Sequence, residues 1–202
     1  PPKSHTTIVA VGKYDDSAMV SGSADGSVLI WQGRNCVEEV KDAHGTAAIT
    51  ALHASSENSV SSLVLSAGAN GKARLWRYHG DDRRLELSVE IDLFELGISG
   101  VASAVCLHQS RQRCLIGTTH AEIYEVFVTE ELGEDGTSSV GKSVLGEGPI
   151  FRGLGGDEEL TCVAASTSTK QFSVCGRDGS VTLWDTESRG LVKSDASLPS
   201  PA

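Results

Sequence analysis

Apolar residues in this chain occur in short runs with a period of two, separated by turns that contain Gly, Asp or Asn. Val28 and Ile30, for example, alternate with Leu29 and Trp31 directly after an Asp-Gly pair. Alternation over a few residues is typical of β-strands, and Asp-Gly or Asn-Gly between two such runs indicates a hairpin. The pattern therefore predicts an all-β protein with many short strands.

Four segments of the chain align with one another without gaps. They are Ser21–Trp31, Ser66–Trp76, Ile116–Val126 and Val174–Trp184. Their turn positions are Asp25, Asn70, His120 and Asp178, and six residues after each come Trp31, Trp76, Val126 and Trp184. Glycine follows the turn position in three copies and supplies the positive φ that a tight hairpin needs. The third copy has His120-Ala121, so we expect its turn to differ.

Each hairpin has one further strand candidate on either side. The upstream candidates are Thr7–Val11, Ile49–His53, Ala102–Leu107 and Leu160–Ala164; the downstream ones are Cys36–Val40, Leu85–Ile91, Lys142–Leu145 and Leu191–Lys193. Four strands per unit, repeated every 45 to 58 residues, are typical of β-propeller blades. The sequence thus predicts one repeat region over residues 1–202, with blades at about 4–41, 44–92, 100–149 and 157–196.

With these residues, the chain resembles WD-repeat proteins. Asp178-Gly179 followed by Leu183-Trp184-Asp185 matches the family pattern, and Ala43-His44-Gly45 stands where the family has a Gly-His pair. The resemblance implies a structural hydrogen-bonded set in each blade, made by a His, a Ser or Thr, the turn Asp and the Trp. Its candidate members are His5, Ser21 or Ser23, Asp25 and Trp31 in the first blade, His44, Ser66, Asn70 and Trp76 in the second, and Asp178 and Trp184 in the fourth. The third blade has neither the Trp nor the Asp, and His120 stands at the repeat position of its turn.

The third copy carries a narrower resemblance. Gly117-Thr118, Glu122-Ile123 and Glu125-Val126 are similar to a run found in one blade of the echinoderm microtubule-associated-protein-like family, which usually has Asn where this chain has His120. That resemblance implies association with microtubules or tubulin. It implies a cytoplasmic protein of the cytoskeleton or cilium. The alternative is a WD-repeat adaptor in a signalling, trafficking or ubiquitin-ligase complex.

Composition narrows the function classes. The net charge is −10, from 17 Lys and Arg against 27 Asp and Glu, which disfavours binding to nucleic acid or to an anionic membrane. The five cysteines form no CxxC pair, and we expect Cys106 with Cys114, and Cys162 with Cys175, to lie on adjacent strands as free thiols. Glu130–Gly136 is expected to form a solvated acidic loop.

No residue pattern indicates catalysis. His53, His79 and His108 lack metal-ligand spacing, and Gly153–Gly156 lacks the strand and helix of a dinucleotide site. We therefore expect no enzyme activity, no cofactor and no metal, and a scaffold that binds proteins. Because WD-repeat rings commonly have more than four blades, we further expect a part of a larger propeller. Its exposed blade edges are expected to allow two copies to pair.

Overall fold

The computed structural model of this chain describes residues 6–10, 18–55, 62–107, 113–132, 138–144, 149, 151–152, 159–166 and 170–195. These residues form eighteen β-strands, which confirms the all-β prediction. No helix with the length and apolar character needed to span a bilayer occurs in this described part. The chain divides into two compact units, Pro1–Leu93 and Phe94–Ala202.

The first unit contains two antiparallel four-stranded sheets. Sheet 1 has the order β1-β2-β3-β4, and sheet 2 has the order β6-β7-β8-β9, so each sheet is a meander in chain order. The strands of the unit are β1 Thr6–Ala10, β2 Ala18–Ser23, β3 Val28–Gln32, β4 Asn35–Val40, β5 Ala43–Thr46, β6 Ile49–Ser55, β7 Ser62–Gly68, β8 Lys72–His79 and β9 Arg84–Asp92.

The second unit repeats this arrangement. Sheet 3 has the order β10-β11-β12-β13, and sheet 4 has the order β15-β16-β17-β18. Its strands are β10 Ala102–Leu107, β11 Arg113–Thr118, β12 Glu122–Leu132, β13 Ser138–Val144, β14 Phe151–Arg152, β15 Leu160–Ala165, β16 Gln171–Gly176, β17 Val181–Asp185 and β18 Leu191–Asp195. The predicted set of four antiparallel sheets with four strands in chain order is thereby confirmed, and sheet 3 has β14 as an additional strand.

Apolar side chains on facing strands hold the two sheets of each unit together. In the first unit Val28 and Ile30 of sheet 1 belong to the same buried cluster as Ile49 and Val64 of sheet 2. The approach is close, since a Cβ on Gly22 would lie 2.4 Å from Cγ2 of Ile49. In the second unit a corresponding cluster joins the third and fourth sheets and contains Ala104, Cys106, Leu115, Val163, Phe172 and Val174.

Register irregularities repeat from sheet to sheet. Every sheet has a register shift between its first two strands, at Thr6/Ile8, Ile49/Ala51, Ala102/Ala104 and Leu160/Cys162. Three sheets have a second shift directly before the tryptophan of the third strand, at Ile30/Trp31, Leu75/Trp76 and Leu183/Trp184. A bulge bends and twists its strand locally. Sheet 3 has no Trp, and its β12–β13 register runs without a shift.

The third sheet corrects two predictions. Its turn has the same form as the others, because Ala121 has a φ of 57° and its N–H bonds to the Thr118 carbonyl at 3.2 Å. The corresponding turns of the other sheets place Gly26, Gly71 and Gly179 at positive φ. The expected acidic loop is also wrong in part, since Glu130–Leu132 belong to β12 and pair with β13. The other end of β12 pairs with β14.

Candidate interaction surface at the turn end of the sheets

In every sheet, the turn between the second and third strands is hydrogen-bonded to the segment that leads into that sheet or out of it. The bonds run from His44 N to Gly26 O (3.0 Å), from Ala69 N to Ala48 O (2.9 Å), from Leu93 N to Gly71 O (3.0 Å), from Thr119 N to Val101 O (2.9 Å) and from Arg177 N to Glu159 O (2.9 Å). We call this end of each sheet the turn end. Backbone bonds of this kind hold surface loops in a fixed shape.

A buried side-chain network supports the turn end of sheet 2. The Trp76 indole donates from Nε1 to Ser66 Oγ at 2.8 Å, and Ser66 Oγ lies 2.8 Å from His44 Nε2. His44 Nδ1 faces Asn70 Oδ1 at 3.4 Å, and Asn70 Nδ2 donates back to the His44 carbonyl at 3.1 Å. The structure thus brings together all four residues that the sequence proposed for this blade.

Burial keeps the His44 imidazole neutral. Its residue is only 1% exposed, and this desolvation lowers the pKa of His44 to about 4, against the opposing effect of its bond to Asn70. Because Asn70 Oδ1 can only accept a hydrogen bond, the proton of the neutral ring belongs on Nδ1, and Nε2 accepts from the Ser66 hydroxyl. Ser66 Oγ therefore accepts from Trp76 and donates to His44, which satisfies both buried rings.

Charged groups extend this support toward the surface. Arg74 bonds the carbonyl of Ala43, next to His44, and is paired with Glu90 on the adjacent strand. Lys72 pairs with the same carboxylate, and these contacts lower the pKa of Glu90, with the bond to Lys72 as the largest cause. The segment before β6 is thereby tied to two strands of sheet 2.

Sheet 1 contains part of the same network. Trp31 Nε1 donates to Ser21 Oγ at 2.8 Å, and Asp25 Oδ1 accepts from the Ser27 amide at 3.1 Å. Ser21 and not Ser23 is therefore the serine that binds the indole. The proposed histidine of this set, His5, lies outside the described residues.

In sheets 3 and 4 the residues at the corresponding positions form hydrogen bonds with different partners. Trp184 Nε1 donates to Thr182 Oγ1 at 2.8 Å on its own strand, and Asp178 Oδ1 accepts from the Ser180 amide at 2.9 Å. This aspartate stabilises its turn and makes no bond to Trp184 that the structure describes. At the third turn the amide of His120 donates to Thr118 Oγ1 at 3.3 Å, while its side chain is exposed. The sequence did not single out Thr182.

The connection that begins at Phe94 carries the most exposed large apolar side chain among the described residues. Phe94 is 60% exposed. Its carbonyl accepts from the Gly97 amide at 3.0 Å, and the Val101 amide further along the connection donates to Thr119 Oγ1 at 3.2 Å. Polar groups lie on the same connection, where Ser99 Oγ donates to Glu122 Oε2 at 3.1 Å.

Tyr124 completes this polar group by donating its hydroxyl proton to Glu122 Oε2 at 2.7 Å, and burial raises the pKa of Tyr124, with its bond to Glu122 acting in the same direction. Within the described residues, no group of three or more His, Cys, Asp or Glu side chains is arranged to hold a metal ion. The hydrogen bonds from Ser99 and Val101 hold the connection against the turn end of sheet 3.

Comparison with known proteins agrees with this geometry. The family model described as WD domain, G-beta repeat, matches residues 3–32, 35–77 and 150–185, which together are more than half of the chain. The chain belongs to the WD-repeat family. The matched segments contain the three Trp-bearing hairpins, whereas the Trp-free third hairpin lies between two of them.

A solved structure shows the fold of this WD-repeat chain. The β-propeller domain of Cps50 (Swd1) from Myceliophteria thermophila is similar over 99% of this chain, with a TM-score of 0.65 and 17% sequence identity. The chain spans 59% of the length of that domain's chain. The predicted β-propeller fold is confirmed, and the four sheets are its blades.

Proposed function

We propose that this chain is a scaffold that binds protein partners through the turn end of its blades. WD-repeat propellers in general act as non-catalytic scaffolds, and such folds carry their function in the loops. The observation that supports this surface most directly is Phe94, an aromatic side chain that is 60% exposed on a hydrogen-bonded connection. Aromatic residues are enriched at protein interfaces and are surrounded there by a polar rim. Glu95 and Ser99 provide polar groups on the same connection.

A comparison of two exposed apolar positions tests this surface. Phe94→Ala removes the proposed anchor, whereas Leu87→Ala removes a side chain that is 45% exposed on the fourth strand of sheet 2. The wild-type chain and both variants are immobilised at equal density and exposed to the same cell extract, and the bound proteins are quantified by mass spectrometry. We expect proteins that the wild type and the Leu87 variant retain to be lost from the Phe94 variant. Equal retention by all three would contradict the proposal.

A microtubule partner is the more specific form of this proposal. It is supported by the resemblance of Gly117-Thr118, Glu122-Ile123 and Glu125-Val126 to the run found in microtubule-associated-protein-like propellers. This form places the protein in the cytoplasm, at the cytoskeleton or cilium. The charge of −10 opposes it, because tubulin is itself acidic and like charges repel.

Co-sedimentation with assembled microtubules distinguishes the two forms. The microtubule form predicts that the chain pellets with microtubules and that Phe94→Ala pellets less than Leu87→Ala. If the chain stays in the supernatant at physiological ionic strength, where the repulsion between the two acidic proteins is screened, the microtubule form fails. The general scaffold then stands as an adaptor in a signalling, trafficking or ubiquitin-ligase complex.

Pairing of two copies through their exposed blade edges is a further part of the proposal. Among the strands that the structure describes, β18 pairs with β17 alone, and its Leu191 and Val192 are 42% and 51% exposed. Light scattering over a range of protein concentrations measures the mass of the particle that the chain forms in solution. A dimer that dissociates on dilution supports pairing, and a monomer at every concentration contradicts it.

A further inference from the structure

Two cysteines lie directly opposite each other at the turn end of the fourth blade. Cys162 on β15 and Cys175 on β16 are Cα partners in the antiparallel register. Directly opposite residues place their side chains on the same face of a sheet. Their Cα atoms are about 4.5–5.5 Å apart in antiparallel strands, and disulfides span Cα separations of about 4.4–6.8 Å.

The two thiols differ in their exposure to solvent. Cys162 is exposed and Cys175 is half-buried, and both are free thiols. Burial raises the pKa of Cys175, and the adjacent thiol of Cys162, to which it is hydrogen-bonded, raises that pKa further. Cys162 is thus the sulfur that a dissolved reagent reaches first.

The other cysteines do not share this arrangement. Cys106 and Cys114 are buried, and burial raises the pKa of Cys114 to about 12, so its reactive thiolate is scarce. Cys36 is exposed, but the residue opposite it is Trp31. Among the cysteines, Cys162 and Cys175 therefore combine access to solvent with a second thiol in reach.

We propose that Cys162 and Cys175 form a reversible disulfide by exchange with a small disulfide of the glutathione class. The Cys162 thiolate attacks one sulfur of the reagent, which forms a mixed disulfide and releases one small thiolate. The Cys175 thiolate then attacks the Cys162 sulfur, which forms the Cys162–Cys175 bond and releases the second small thiolate. The protein loses two electrons and two protons, and the reagent becomes two small thiols.

The second step depends on the register of the two strands. Cys175 is the weaker candidate for attack on a dissolved reagent, because it is half-buried and its pKa is raised. Once Cys162 carries the reagent, however, Cys175 attacks within the same molecule, and proximity raises its effective concentration greatly. The mixed disulfide on Cys162 is therefore expected to be short-lived.

Reaction of the full chain with oxidised glutathione tests this sequence of steps. Cys36→Ser is the background of the test protein and of its variants, so that the exposed thiol outside the pair is removed, and a parallel wild-type sample that keeps Cys36 serves as the reactivity control. We expect the intact mass to fall by two hydrogens, a non-reducing digest to contain a peptide that joins Cys162 to Cys175, and a reductant to reverse both changes. Circular dichroism verifies that each variant is folded.

Single substitutions separate the roles of the two sulfurs. Cys175→Ser is expected to accumulate one stable glutathione on Cys162, because no thiol resolves it. Cys162→Ser is expected to react far more slowly than the background protein. A stable glutathione on Cys162 while Cys175 is present would overturn the proposal. So would a linkage of Cys162 to Cys106, or loss of no thiols under conditions in which Cys36 of the wild type reacts.

Discussion

His44 Nε2 and Ser66 Oγ are 2.8 Å apart in the interior of the second blade, and Ser66 Oγ is also 2.8 Å from Trp76 Nε1. One hydroxyl thus joins the segment that enters the blade to its second and third strands. Ser66 is fully buried and His44 is 1% exposed, so water does not replace either bond. This contact holds the turn end of the second blade in place from the blade interior. The proposed interaction surface lies at the turn end and needs such a rigid support.

The burial of His44 predicts that the protein becomes less stable in mild acid. In the unfolded chain His44 takes up a proton near pH 6.5, whereas in the folded chain its pKa is about 4. Between pH 6.5 and pH 4 the unfolded state binds more protons than the folded state. The contribution of neutral His44 to the free energy of unfolding is therefore complete above pH 6.5 and is lost as the pH falls toward 4. The loss reaches about 3 kcal/mol. Urea unfolding at a series of pH values measures it.

His44→Gln should flatten this pH profile, since glutamine does not titrate. The same substitution at His120, which is exposed, is the control for replacing a histidine by glutamine outside the blade interior. A smaller slope remains in the His44 variant because burial also lowers the pKa of His53. A wild-type profile that stays flat down to pH 4 would contradict the assignment of a neutral, buried His44.

Because Ser66 has two hydrogen-bond partners, we predict that its hydroxyl contributes more to the stability of the protein than the hydroxyl of Thr182. Ser66→Ala removes the partner of both the Trp76 N–H and His44 Nε2 inside the blade, at a cost of about 2–4 kcal/mol. Thr182→Val removes one hydrogen bond to the half-buried Trp184 indole and should cost about 1 kcal/mol. Chemical denaturation of both variants at neutral pH measures the difference. Equal costs would mean that the hydroxyl does not hold the two rings together.

The sequence predicted the architecture of this chain because its signals are local. Alternating apolar residues and Asp-Gly or Asn-Gly turns mark each hairpin, and repetition of Trp31, Trp76 and Trp184 at one position sets the register of the copies. Ala102–Leu107 was predicted to the residue, and the other first strands to within two residues at either end. Interactions between residues that are close in sequence are sufficient to determine these strands and turns.

Features that depend on tertiary contacts were not predictable in this way. The third blade uses Ala121 at positive φ where its relatives use glycine, because the surrounding strands impose the turn on a residue that does not favour it. Its fourth strand position is filled by both β13 and β14. In the fourth blade, the partner of Trp184 is Thr182, two residues away on the same strand, and no spacing rule indicated that bond. The exposure of Phe94 likewise emerges only from packing.

Gly26 and Gly33 form a matched pair for testing how tightly the first turn is held. Both have positive φ, 85° and 61° respectively. A Cβ on Gly26 would lie 2.3 Å from the carbonyl oxygen of Gly45, whereas one on Gly33 would meet nothing within 4 Å. Gly33→Ala should cost about 1 kcal/mol from the left-handed backbone alone.

Gly26→Ala should cost distinctly more, since a backbone atom cannot move aside as a flexible side chain can. We expect the clash to displace the segment around Gly45, whose neighbour His44 is bonded to the Gly26 carbonyl. Thermal unfolding of the two variants gives the comparison. Similar midpoints for Gly26→Ala and Gly33→Ala would show that the contact between the turn and this segment is loose.

Substitution of Asn70 tests why the second blade has a neutral turn residue where the first and fourth blades have Asp25 and Asp178. In Asn70→Asp a carboxylate faces His44 Nδ1, and a nearby negative charge favours the protonated imidazole. The pKa of His44 should therefore rise from about 4, and the stability lost between pH 6.5 and 4 should shrink. NMR titration of the imidazole measures the pKa. Asn70→Ala, which removes the bond without adding charge, should lower that pKa or leave it unchanged. A His44 pKa that does not move in Asn70→Asp would show that the ring and the turn residue are not in contact.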